Sequence, residues 1–393
     1  MKRKQILWLT SWYPNKLEPL SGDFIERHAK AASLLNDITV IHVVKDNHDI
    51  NSARKTVIIN KYKSFPSLTS YKGYYTSPGG TFFSSFISLL KHFKLQKQLI
   101  KQYVREYGKP DLIHVHICFK AGIGALYCRW RYGIRYIVSE QWTIFCPEAK
   151  PSFGDQSFII RWFIRQIYKG ASATSAVSTY LARSISGRFS IVEPLRIPNV
   201  VDTKLFFPSS AKYDVFTFIH ISVLNYQKSP DEIILAIDLL RQKTNRPFQL
   251  IIYGPFVKEL ADKIKDKNTE QYIQYRREVM QDELSAEVRK CHALLLYSRF
   301  ETFGCVVIES FASGIPVIVS DIPVMRELVE ENVTGIFASP GDPEKLAEKM
   351  LWMMENYKSF DPGIISRTAR DKYEYFTISE KFDWMYRGVV GEL

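Results

Sequence analysis

Short runs of aliphatic, β-branched and aromatic residues alternate along the whole chain with longer stretches in which apolar positions recur every three or four residues. In the first half the short runs are Ile6 to Ser11, Ile38 to Val44, Leu112 to His116, Arg135 to Ser139 and Ala173 to Val177. In the second half they are Phe216 to Val223, Gln249 to Tyr253, Tyr272 to Tyr275, Ala293 to Tyr297 and Pro316 to Ser320, with helical patterns such as Pro230 to Gln242 between them. Strands alternating with helices predict parallel sheets covered on both faces. The pattern thus predicts an α/β protein of two doubly wound units, and 393 residues agree with two hydrophobic cores rather than one. Ligands of open parallel sheets sit beyond the carboxyl ends of the strands, so two such sheets facing each other are expected to enclose a cleft.

Charge separates the halves. Residues 1–200 hold 29 Lys and Arg against 12 Asp and Glu, a net +17, whereas residues 201–393 are net −5. The run Ile197-Pro198-Asn199-Val200-Val201-Asp202 lies where the sign changes and where turn formers break the periodicity, which puts the domain boundary there. A basic half suits anionic lipid, nucleic acid or a phosphorylated acceptor. No nucleic-acid recognition module occurs, so nucleic acid is not expected as a partner. No eighteen apolar residues run without charge, which predicts no membrane span. The basic start, Met1 to Lys4, and the run Ile6 to Trp12 are too short for a signal segment and read as the first strand. The cysteines number five and form no C-x-x-C pair, as expected for reduced, buried thiols in a cytoplasmic protein.

The most informative run is Ser298 to Ser310, following the strand Ala293 to Tyr297. It reads as strand, loop and helix. Gly304 lets backbone approach a ligand, and the free N–H groups of a helix start attract oxygen-rich or anionic groups. Glu301 is expected in the loop, and Glu309 inside an apolar helical stretch where a carboxylate needs a hydrogen-bond donor such as a ribose diol. Spacing alone leaves open that Glu309 caps a neighbouring loop and that Glu301 is solvated. Asp23 and Glu26 have capping-box spacing at the start of the first long helix. At the end of the strand Leu112 to His116, His116 is the candidate for the site, while His114 is assigned to the opposite face.

Two glutamates seven residues apart, within Ser298-Arg299-Phe300-Glu301-Thr302-Phe303-Gly304 and Glu309-Ser310 followed by Ala312-Ser313-Gly314-Ile315-Pro316, resemble the donor-binding signature of family 4 of the retaining glycosyltransferases. Further matches are Ile6 to Pro14 with Gly22 and Phe24, Asp111 to His116, Ala176-Val177-Ser178, Pro198-Asn199, Val201-Asp202, Gln227-Lys228, Gly254 and Thr334-Gly335. The resemblance covers nearly the whole chain. It implies a GT-B fold with an acceptor-binding Rossmann-like domain at 1–200, a nucleotide-sugar-binding one at 201–365, and a helical segment at 366–393 returning to the first. Glu309 would bind the ribose, Glu301 with amides near Phe303 and Gly304 the donor sugar, and Lys228 the diphosphate; His116, Lys228 and Glu301 form the implied catalytic set. Gly22, Asn199, Ser222, Gly254 and Thr302 complete the implied substrate contacts. Lys228 also has an unaided rationale, since a fixed ammonium stabilises the charge gained by a leaving nucleoside diphosphate.

Two departures stand out. Val223 occupies the place of a second cation usual in the family, for which Ser222, Asn225, Arg196 or Arg326 are candidate substitutes, and Glu140-Gln141 replaces the more common Glu-His pair. The resemblance implies a UDP- or GDP-sugar donor as substrate, no other cofactor, no metal, and retention without a carboxylate nucleophile. The stripe Phe82, Phe86, Leu90 and Phe93 with Lys91, Lys94, Lys97 and Lys101, and a second stripe of Arg161, Arg165 and Lys169 beside Trp162 and Phe163, fit an anionic membrane surface. They lead to the expectation of a saccharide, lipid-linked acceptor in surface polysaccharide synthesis, met by a cytoplasmic protein at the inner face of the plasma membrane. The alternatives are a donor-binding partner without turnover, which Val223 and Gln141 suggest, and a GT-B sugar-nucleotide epimerase. A dehydrogenase is disfavoured because no G-x-G-x-x-G follows the first strand.

Overall fold

The structure, a computed structural model, describes residues 3–46, 58–77 and 82–392. The first sheet is built from β1 (Gln5–Thr10), β2 (Asp37–Asp46), β3 (Ile58–Phe65), β4 (Leu68–Thr76), β5 (Leu112–His116), β6 (Tyr136–Glu140), β7 (Ala173–Ala176) and β8 (Leu195–Arg196), in the order β3-β4-β2-β1-β5-β6-β7-β8. All neighbours are parallel except the β3–β4 hairpin at the edge. In β1, Ile6 to Leu9 are fully buried, as a strand covered on both faces requires. The hairpin is absent from the sequence reading because Lys61, Lys63 and Lys72 interrupt its apolar pattern, which an edge position tolerates.

The second sheet comprises β9 (Phe216–Ile221), β10 (Phe248–Tyr253), β11 (Ile273–Arg276), β12 (Ala293–Leu296), β13 (Val317–Ser320) and β14 (Gly335–Ala338), all parallel, in the order β11-β10-β9-β12-β13-β14. Each sheet reverses its winding once: the chain leaves β1 in one direction and returns at β5, and it leaves β9 and returns at β12. Crevices at the carboxyl end of a parallel sheet open at such reversals.

The chain divides into two compact units, one of Met1–Phe145, Pro151–Val200 and Tyr375–Leu393, the other of Cys146–Lys150 and Val201–Glu374. The last crossing falls at 374 rather than 366. Helix Pro362–Tyr373 stays with the second unit, burying Ile365 and Ala369, and the chain turns extended at Glu374. Helix Tyr375–Val390 then buries Ile378, Phe382, Met385 and Tyr386 with Trp8, Ile25 and Ala29 in the core of the first unit. Burial of each large apolar side chain contributes roughly 1.5–3 kcal/mol. Among the described residues no helix is long and apolar enough to cross a membrane. None of the five cysteines forms a disulfide among the described residues, and burial pushes the thiols of Cys128, Cys146 and Cys291 up to about 12.

Candidate active site

At the winding reversal of the second unit, the loops leaving β9 and β12 lie against each other. The β9 loop runs through Ser222 to a 3-10 turn at Tyr226–Lys228, with Leu224 and Ser229 held at positive φ (51° and 46°) on either side. Such angles in non-glycine residues are costly and persist only where the surroundings enforce them. Ser222 contributes by accepting the Leu224 N–H at 3.1 Å, its Oγ lying 2.8 Å from His220 Nε2. The result is a turn that aims Lys228 at the β12 loop, where its ammonium pairs with the Glu301 carboxylate.

Glu301 is 4% exposed, and the same carboxylate accepts Ser298 Oγ at 2.8 Å and Gln227 Nε2 at 3.4 Å. Gln227 also donates to Phe300 O at 2.9 Å, and Arg299 N donates to Gln227 O at 2.8 Å, so the two loops are laced by backbone as well as charge. Arg299 adds a third link: its guanidinium lies 4.4 Å from the centre of the Tyr226 ring, donates to Tyr226 O at 2.6 Å and pairs with Glu232. Sequence reasoning missed Arg299, although it sits inside the informative run.

Gly304, at φ 96°, caps helix Cys305–Ala312 without any side-chain cap, leaving backbone N–H groups at the helix start to donate to a ligand's oxygens. Thr302 is half-buried beside it, and Phe303 is buried with its ring edge-on to Tyr373 at 5.9 Å. Glu309 lies on this helix at 2% exposure. Gly254, following β10, has a packing reason: a Cβ there would stand 2.5 Å from Ser222 O and 2.7 Å from the Leu224 side chain. Of the candidate substitutes for the cation missing at Val223, which is 53% exposed, Arg326 is held by Asp321 in two hydrogen bonds of 2.6 and 2.7 Å.

The first unit holds the remaining candidates. Gly22 is itself the cap of helix Asp23–Ala32, at φ 72° and with no side-chain cap, so the capping box expected of Asp23 and Glu26 does not form. Asp23 lies one residue inside and pairs with Arg27, and Glu26 pairs with Lys30. A Cβ at Gly22 would meet the backbone of Trp12 and Tyr13 at 2.7 Å, which fixes the helix start against the β1 loop. Asn199 is buried in the run that leads to Val200.

His114 and His116 share one face of β5, correcting the opposite-face assignment: residues two apart in a strand point the same way. Their rings are 4.0 Å apart and both are fully buried. His116 stacks on Trp8 at 3.8 Å, neither ring nitrogen has a hydrogen-bond partner, and burial followed by the neighbouring His114 and His28 pushes it well below the ordinary histidine range. The His116 ring is thus a neutral, fully buried imidazole stacked on Trp8 at the end of β5. His114 bridges Tyr386 Oη (2.9 Å) and Ser139 Oγ (2.6 Å), tying the last helix to β6.

Glu140 is buried at the end of β6, accepting the N–H groups of Cys118 (3.1 Å), Gln141 (2.9 Å) and Trp142 (2.9 Å) and the Tyr168 hydroxyl (3.1 Å). It holds the loops after β5 and β6 together, and Gln141 lies 3.3 Å from His28 Nδ1. Ile117 and Lys120, at φ 66° and 67°, are strained residues at this unit's winding reversal that the sequence did not single out. Lys120 is an exposed residue, yet burial of its ammonium, followed by the charge of Lys45, pushes it below its usual range.

In the two basic stripes, Phe86 and Leu90 are exposed with Lys91, Lys94 and Lys101, while Phe93 packs edge-on to Tyr127 at 6.0 Å. The side chain of Phe82 lies outside the described residues. Trp162, Arg165 and Lys169 are exposed, whereas Arg161 and Phe163 are half-buried.

Two family models match the chain: that of the glycosyl transferases group 1 over residues 201–368, and that of glycosyltransferase family 4 over residues 56–205. An uncharacterized glycosyltransferase of Methanocaldococcus jannaschii is 25% identical over 378 residues, 94% of this chain and 93% of the relative. Sucrose-phosphate synthase from Thermosynechococcus elongatus superposes with a TM-score of 0.77 at 14% identity, over 99% of this chain and all of that one. The Anabaena protein HepE in complex with UDP-glucose superposes with a TM-score of 0.71 at 18% identity, over 98% of this chain and all of that one. With both matched segments, a near full-length relative and a two-sheet fold in agreement, the chain belongs to family 4 of the glycosyltransferases and is a sugar transferase of the GT-B type.

Proposed function

We propose that the protein is a retaining, metal-independent hexosyltransferase that moves a sugar from a UDP- or GDP-sugar on its second unit to a saccharide, lipid-linked acceptor served by its first, in surface polysaccharide assembly. The observation that carries this reading is the Lys228–Glu301 pair on the laced loops at the β9/β12 reversal. There a cation for the diphosphate, a carboxylate for sugar hydroxyls and an uncapped helix start occur together. A bound donor would draw Lys228 from Glu301 onto the phosphates and leave Glu301 to accept from the sugar. Glu309 would accept from the ribose diol, and Ser222, Gly254 and Thr302 would line the approach. Gly22 and Asn199 are assigned to the acceptor side, and His116 is a positioning residue for the β5 loop. HepE holding UDP-glucose on a similar fold supports a nucleotide-sugar donor.

No side chain is assigned as a nucleophile. In a front-side substitution the acceptor oxygen bonds to the anomeric carbon as the bond to the diphosphate breaks, and the departing phosphate takes the acceptor's proton. Lys228 supplies the positive charge the departing group requires, and turnover is expected to survive a chelator. Activity lost with chelator and regained with manganese would contradict that.

The exposed basic residues of helix Phe82–Tyr107 and of helix Phe158–Gly170 support peripheral association with an anionic membrane, on the cytoplasmic side. The donor reading is tested by melting the wild type and Glu309→Ala with a panel of UDP- and GDP-sugars. One nucleotide class should raise the wild-type melting temperature by about 5–10 °C at about 100 times its dissociation constant, and the variant should lose the rise. Val223, exposed where the family carries a cation, favours a second reading as a donor-binding partner without turnover. A donor that stabilises the protein without being consumed alongside any acceptor would select it.

A further inference from the structure

A cavity of about 940 Å³ opens in the first unit at the amino ends of β7 and β8, whereas Gly22 and the β5 loop follow the carboxyl ends of β1 and β5. Its wall is formed by the last turns of helix Phe158–Gly170 and helix Thr179–Phe189, by the first residues of β7 and β8, and by the connection Ser190 to Glu193. Three cations line it: Arg165, Lys169 and Arg188. The guanidinium groups of Arg165 and Arg188 lie 5.9 and 5.3 Å from the centre of one ring, that of Phe153. Among the described residues none of the three is ion-paired; the carboxylate in the wall, Glu193, faces Arg183 at 3.9 Å.

Cations at helix ends offset the helix dipole, and one basic residue on each helix would do that. The site goes further in two respects. It holds a third cation, and it is skirted by apolar groups turned to water. Val192, at the tip of the connection, is 89% exposed, and it follows Ser190 at φ 52°. Phe158, Trp162, Arg165 and Lys169 succeed one another at spacings of four, three and four, a single exposed face of helix Phe158–Gly170. That face runs from aromatic to basic over about 17 Å and ends at the cavity. Positive charge inside a concave site with exposed apolar groups around its rim matches a phosphodiester joined to an acyl body, as at a bilayer surface.

We propose that this cavity is a headgroup site for an anionic phospholipid, and that with Trp162 and Val192 resting in the interface it moors the first unit to the membrane. The inference rests on the membrane reading above and is independent of the donor site, because the cavity residues all belong to the first unit and the donor candidates Lys228, Glu301 and Glu309 to the second. It also chooses between the two basic stripes, assigning the mooring to helix Phe158–Gly170 and not to helix Phe82–Tyr107.

The test is sedimentation of the full chain with vesicles of phosphatidylcholine alone or mixed with phosphatidylglycerol, for the wild type, for Arg165→Gln/Lys169→Gln/Arg188→Gln, and for Lys91→Gln/Lys94→Gln/Lys101→Gln. Both variants alter exposed side chains, and the melting shift with nucleotide sugar reports separately on folding and on the donor site. The proposal expects binding only to vesicles containing phosphatidylglycerol, weakened about fivefold for each cation removed from the cavity and so about a hundredfold in the first variant, with little change in the second. Equal binding to both vesicles, no binding, equal losses in both variants, or loss only in the second would each overturn it. So would displacement of the wild type by free glycerol phosphate alone, which would make the cavity a site for a soluble phosphate.

Discussion

Lys228 owes its position to backbone that its own sequence disfavours: Leu224 and Ser229 bracket it at positive φ. Lys228→Ala is expected to lower kcat by about two to three orders of magnitude, as for loss of one preorganised charge at a leaving group, and to lower the melting temperature as well, because the buried Glu301 carboxylate loses its cation. A variant that keeps its rate would remove Lys228 from the reaction. Gly254→Ala puts a methyl group 2.5 Å from Ser222 O. The loop must then shift, at a cost of about 1–3 kcal/mol in urea unfolding and with loss of the melting response to donor. An unchanged response would show that the Ser222 loop has no part in donor binding. The residue types at 228, 301, 304 and 309 were legible in the sequence because their chemistry and spacing are local. The angles of Leu224, Ser229, Ile117 and Lys120 were not, because a non-glycine residue takes positive φ only under constraint from neighbours distant in sequence.

Elements are joined in the first unit by buried polar groups rather than by apolar packing alone. Glu140 gathers three backbone N–H groups and a tyrosine hydroxyl from two loops and a helix, and burial raises its carboxyl above the ordinary range. Glu140→Ala should therefore cost about 3 kcal/mol or more, since several buried donors lose their acceptor, and Glu140→Gln should cost less because an amide oxygen still accepts. Denaturant unfolding of the two variants measures this; equal losses would mean that the charge, not the acceptor, is what the loops require. The strands that were legible are the apolar central ones, where burial on both faces leaves a continuous run. β3 and β4 escaped notice because an edge hairpin can carry lysines, and β14 because four residues beginning with glycine give no periodicity.

Among the described residues, burial disfavours the charged form of every histidine. In the first unit burial pushes His28 and His42 down to about 4 and His92 to about 3, with His114 and His116 well below the ordinary value. In the unfolded chain each takes a proton near pH 6.5, so unfolding binds protons below that pH. Stability is therefore complete above about pH 6.5 and is lost as the pH falls from there toward about 4, at about 1.4 kcal/mol per pH unit for each histidine. Urea midpoints measured from pH 7 to pH 5 should fall steeply, and a flat profile would mean that these rings are protonated in the folded state. The alternation of short apolar runs with helical periods determined two doubly wound sheets, and the order of charged and glycine residues determined the family, because both are properties of neighbours in the chain. Where the chain passes between units, which faces of β5 and of the basic helices meet water, and which cations stand together at the cavity were decided only by the tertiary structure. Burial and charge pairing depend on residues tens to hundreds of positions apart, and no local pattern records them.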